Sequence, residues 1–176
     1  MSLSLLRLIE PTRQGIVLET HRGTRIKNEI APIPVAEQVR AHDRLLAAHR
    51  MGWIPRKPAT GIYNCIGHIW ACRRTAVYDT LEDVLRTIYA DDGYRVVDWP
   101  RETLCPGDLA TYWFSARSRT GFCHVGTVVE IRAGQGNVSA PWVLSKWNDY
   151  SGEVLHHFGE HPLPRGVEVE FWTDRP

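Results

Sequence analysis

The chain has no charge excess: 21 Lys and Arg balance 20 Asp and Glu, for a formal charge of +1 over 176 residues. That balance gives no electrostatic case for nucleic acid or a membrane surface as partner. No apolar run approaches the roughly 18 residues that a transmembrane helix requires. The opening "MSLSLLRLIEPTRQG" is interrupted by Arg7, Glu10 and Arg13, and no small-residue cleavage site follows. It reads as mature sequence and not as a secretory leader. These absences predict a cytoplasmic protein, unless a specialised export route or a phage-type delivery system handles it.

Cysteine is scarce as well. Cys65, Cys72, Cys105 and Cys123 are too scattered for a disulfide scaffold, and no C-x-x-C pair provides a structural zinc site of the usual spacing. In a reducing compartment each is a free thiol. Internal repeats and low-complexity tracts are absent too.

What is present is ordinary in bulk, with 43% hydrophobic and 23% charged residues, and suits one folded domain. Seven tryptophans are many for this length; as core or pocket-wall residues they hint at a groove. A strand is expected around Ile16 to Glu19. "PVAEQVRAHDRLLAAHRMGW" predicts a helix, with Val35, Val39, Leu45, Leu46 and Met51 near helical spacing. "IPRKPATG" reads as a Pro-rich connector. Thr80 with Asp83 resembles a capping box for a helix that stops at Gly93. After "CPGDL" the pattern changes to short β-rich runs: "LATYWF", "CHVGTVVEI", "PWVLSKW" and "VEVEFW". Helices first and an antiparallel meander after them predict an α+β fold.

Chemistry centres on "GIYNCIGHIW". Asn64 is a good helix N-cap, which puts Cys65 in the first turn, where the dipole favours the thiolate. The plain alternative is that Cys65 fills core space. Gly67, a poor helix former, implies a close neighbour. A nucleophilic cysteine needs a histidine base and a third group to orient it. His124 opens the strand pattern "HVGTVVEI" after the loop "SARSRTGFC" and is the better candidate. His68 lies one turn from Cys65 and reads as a partly buried histidine. His156, His157 and His161, with Glu153 or Glu160, are a weak metal candidate of no diagnostic spacing, read mainly as surface or edge-strand material. Cys123 and His124 are adjacent on a strand, so alternation keeps them from sharing a site.

The order "NC-x-G", then "PGDL", then "HVG-x-V" resembles the NlpC-type papain-like cysteine peptidases and amidases, over roughly residues 60 to 150. Carried over, Cys65 matches the nucleophile, with Asn64 where Asp is usual and Ile66 where a small serine is usual. Gly67 matches the helix glycine. Pro106, Gly107 and Asp108 match the turn, and His124, Val125 and Gly126 match the base and its strand. Cys65 precedes His124, so the arrangement is the unpermuted one. "RRT", "DDGY" and "VLSKW" also resemble an uncharacterised bacterial branch related to that superfamily. The third residue departs from the usual pattern: on "PWVLSKWND" a charged Lys146 cannot accept from an imidazole, whereas Ser145 and Asn148 can. Strand alternation lets at most one of them point inward, and Asn148 is preferred.

The resemblance implies residues 1–58 as an N-terminal extension and 59–176 as a papain-like catalytic domain. It implies hydrolysis of a peptide, isopeptide or other amide bond through a Cys65 thioester, with no cofactor and no metal. Peptidoglycan peptide is one option for the substrate. Tyr63, Asn64 and His68 are expected at the oxyanion or substrate groove, where the Cys65 backbone N–H contributes to the oxyanion hole. The alternative is an inactive papain-like fold that binds a partner or serves a structural role.

Overall fold

In the computed structural model, residues 15–29, 35–78, 81–133 and 139–176 are described. Three helices, α1 (Val35–Ala48), α2 (Cys65–Trp70) and α3 (Leu81–Asp91), accompany seven strands. These are β1 (Ile54–Lys57), β2 (Arg95–Val97), β3 (Leu109–Ser115), β4 (Thr120–Ala133), β5 (Ser139–Ser145), β6 (Glu153–His157) and β7 (Glu168–Thr173). They form one antiparallel sheet in the order β1-β6-β5-β4-β3-β7-β2, so the class is α+β. Among the described residues, no helix is long and apolar enough to cross a membrane.

β3 to β6 are the expected meander. β7 departs from it: instead of following β6 it crosses back to pair with β3. The reason is visible in β3, whose alternating side chains are buried on both faces. Leu109 and Trp113 join Val125, Trp172 and the helical residues Ile66, Leu85 and Ile88 in one core. Ala110 and Tyr112 join Val128, Val143 and Phe171 in a second core on the opposite face. Alternation puts successive residues on opposite faces, so a sheet apolar on both sides needs two covers. Helices α2 and α3 supply one. The segments bearing Trp99, Leu104, Phe158 and Leu163 supply the other, and the crossover to β7 carries the last two.

Several local expectations change. Residues 16–19 form no extended strand; only an isolated bridge joins Glu19 to Arg25. The Thr20 and Thr24 hydroxyls tie this hairpin to Asp91 at the end of α3. Helix α1 turns Gln38, Ala41 and His42 inward, while Val39 is 46% and Met51 93% exposed, so the apolar stripe is not its buried face. "IPRK" is an edge strand beside β6, so the expected N-terminal extension contributes to the sheet itself. Thr80, and with it the capping box, lies outside the described residues, as do Arg7, Glu10 and Arg13. α3 does stop where expected, with Gly93 at φ +76°.

Candidate active site

Asn64 caps α2 as its residue type predicts, in an extended conformation with its Oδ1 accepting from the Gly67 N–H at 3.0 Å. The same side chain also straps a second segment: Nδ2 donates to the Val77 carbonyl at 2.6 Å, and Oδ1 accepts from the Val77 N–H. Gly67 is needed for close approach, because a Cβ there would overlap the Thr75 carbonyl oxygen. Cys65 therefore stands on a rigid corner, packed against the helix-side core that includes Val125.

The electrostatics oppose the thiolate that the sequence suggested. Burial pushes the Cys65 thiol up to about 11, although the backbone N–H groups of Val125 and Ile66 act the other way. A two-turn helix offers little dipole against that desolvation. The contact with Val125 matters for another reason, since it brings the sulfur beside the residue that follows His124. Among the described residues, no hydrogen bond joins Cys65 to His124 itself.

His124 is 2% exposed. Register pairs it with Tyr112, so its ring lies on the face of the second core, tilted against Tyr112 and stacked on Trp147 with 3.9 Å between centroids. Burial, then the nearby His156, His68 and His161, hold it well below the usual imidazole range, so the ring is neutral at physiological pH. Its Nε2 is buried and has no hydrogen-bond partner among the described residues.

Neither proposed orienting residue bonds to His124. Asn148 lies beyond the end of β5, and its Oδ1 accepts from the Tyr150 N–H at 3.1 Å within a turn. Ser145, wholly buried, bonds His156 Nε2 at 2.9 Å. Gly126 is needed here too, because a Cβ on it would lie 2.6 Å from the Ser145 Oγ. His156 is thus core on an inner strand, which corrects the surface reading of "HHFGEH". Among the described residues, no group of three or more His, Cys, Asp or Glu could hold a metal. The alternation argument about Cys123 also changes. Register passes from His124–Tyr112 to Phe122–Trp113, which makes Cys123 the extra residue of a bulge, packed against the same second core.

Tyr63, Asn64 and His68, expected to line a groove, are all buried. Glu153 draws two of them into one network, accepting from the Tyr63 hydroxyl at 2.6 Å and from Arg73 through both oxygens. Arg73 Nη2 also meets His68 Nε2 at 2.9 Å. A guanidinium only donates, so His68 Nε2 accepts and its proton sits on Nδ1. Burial first, and the Arg73 charge with it, pushes His68 down to about 4 despite Glu153. Burial acts to raise Glu153, but Arg73 and Tyr63 outweigh it and hold the carboxyl below its ordinary value.

Sequence reasoning missed two features. Lys146, set aside as an acceptor, is wholly buried and donates to the Thr60 and Ser151 carbonyls at 2.8 and 2.6 Å. Burial brings it down to about 8, with Asp149, Glu153 and Cys65 pulling upward. Tyr78 faces Asp149, Glu29 and Cys65, and with Lys27, Asn28 and Glu29 it lines a cavity of about 160 Å³. The only signal for Trp147 was the tryptophan count.

No protein-family model, curated protein or solved structure matches this chain.

Proposed function

We propose that this protein is a papain-like cysteine hydrolase of the unpermuted NlpC type, which cleaves a peptide, isopeptide or other amide bond through Cys65. One observation carries the reading: the Cys65 sulfur lies at the backbone N–H of Val125, the residue next to His124, so the nucleophile and the strand of its base meet. Cys65 Sγ attacks the acyl carbon while its proton passes to His124. The C–N bond then breaks and the amine leaves with that proton. Water hydrolyses the thioester by the reverse proton route. With a raised thiol and a neutral imidazole, proton transfer accompanies attack, and no ion pair exists in the resting site. The backbone N–H groups of Val125, Ile66 and Cys65 favour negative charge at this point and suit the oxyanion.

A second reading, a binding or structural protein on the same scaffold, is favoured by the raised Cys65 thiol and the unsatisfied His124 Nε2. Peptide and isopeptide hydrolysis by wild type, Cys65→Ala and His124→Ala separates the two. The hydrolase reading expects cleavage that both variants lose. Equal behaviour of all three favours the binding protein.

A further inference from the structure

The second core holds a polar arrangement that the chemistry above does not use. His156 Nδ1 lies 2.7 Å from the His157 carbonyl, which can only accept, so the proton of this imidazole is on Nδ1. The ring is neutral, since burial pushes it down to about 4. Its Nε2 is therefore an acceptor, and Ser145 donates to it at 2.9 Å. This fixes the serine hydroxyl: its hydrogen is committed to His156, and its oxygen keeps lone pairs to accept with. Ser145 and His156 are both 0% exposed, so bulk water does not compete for those lone pairs.

The unpartnered group nearby is His124 Nε2. Ser145 Oγ lies against Gly126, two residues beyond His124 on the same strand face, and the Trp147 ring touches both imidazoles. We infer that Ser145, polarised by His156, is the group that holds the His124 imidazole during reaction. As His124 takes the Cys65 proton, its Nε2–H turns onto the Ser145 oxygen, and Ser145 keeps its own proton on His156. No proton passes beyond His124. His156 is a positioning residue that acts through Ser145, and Asn148 has no part in it. A buried nitrogen without a partner costs about 1–3 kcal/mol, and closing this contact would recover it when the imidazolium forms.

The inference rests on the hydrolase reading, and hydrolysis of p-nitrophenyl acetate tests the two separately. Ser145→Ala should lower kcat about 10- to 100-fold with KM little changed, and should add nothing to His124→Ala in the double variant. His156→Gln, which can still accept from Ser145, should keep most of the rate, while His156→Leu should match Ser145→Ala. Circular dichroism identifies any variant that fails to fold, and the His156→Gln and His156→Leu comparison then decides. If turnover depends on Cys65 and His124 but Ser145→Ala and His156→Leu leave kcat and the pH profile unchanged, the relay is overturned and the hydrolase reading stands. If Cys65→Ala and His124→Ala turn over like wild type, or none of the proteins does, both are overturned.

Discussion

The two faces of the sheet treat buried polar groups in opposite ways. On the helix side, Glu153 is saturated by Tyr63 and Arg73, and Arg73 reaches on to His68. Lys146 there has carbonyl acceptors from the loops on either side of it. On the other side, His124, His156 and Trp147 are packed ring against ring, and His124 keeps a buried nitrogen without a partner. A satisfied charged network holds backbone segments at fixed distances, here the loop before Cys65 and the turn after β5. An unsatisfied imidazole is held by packing alone and gains a partner only when it moves or is protonated. The contrast assigns rigidity to the first face and proton chemistry to the second, with Cys65 placed where the two meet.

The contrast breaks most visibly at Glu153. Glu153→Ala leaves Arg73 and the Tyr63 hydroxyl without their acceptor in a buried setting, and should cost about 3–5 kcal/mol. Urea unfolding measures it, and a loss below about 1 kcal/mol would show that the network is ornamental. Acid should act next, on both faces. His68 and His156 have folded values near 4, below the usual 6.5 of the unfolded chain. As pH falls below about 6.5, the unfolded chain binds protons that the native rings refuse. Stability is therefore full above that point and declines toward pH 4, by on the order of 3 kcal/mol per imidazole. Glu153, depressed in the fold, adds a further loss at the acid end of the range. Unfolding curves at several pH values check the slope, and a flat response from pH 7 to 4.5 would contradict neutral buried rings.

The two faces also differ in what the sequence made readable. α+β order, the Asn64 cap, the close approach at Gly67 and the stop at Gly93 are local, set by one residue type in one short segment. The side chain that would orient His124 depends on register, and register is not local. The bulge at Cys123 and the early end of β5 send Asn148 into a turn and Ser145 toward His156. Both defeat simple alternation. β7 was readable as a strand but not in its place, because its crossover answers to the apolar area on both faces of β3. The Cys65 thiol was misjudged for the same kind of reason: a cap and a first turn are visible in sequence, whereas desolvation by packed neighbours is not.

Smaller effects sharpen the contrast. Asn64→Ala removes the α2 cap and the strap to Val77 together, and should cost about 2 kcal/mol in thermal or urea unfolding. A cost no larger than that of an exposed substitution would mean that α2 is positioned by packing alone. At the far end, Arg101→Ala breaks the exposed pair with Asp98 and should change stability by less than about 0.5 kcal/mol. A larger loss would show that charges matter here irrespective of burial.

The most direct measurement is intact-protein mass spectrometry after brief exposure to p-nitrophenyl acetate at neutral pH, followed by peptide mapping. The account predicts a single acetyl group on Cys65, absent in Cys65→Ala and formed at least about tenfold more slowly in His124→Ala. Acetyl groups spread over Cys72, Cys105 and Cys123 with Cys65 untouched, or acetylation of Cys65 at the same rate without His124, would contradict it.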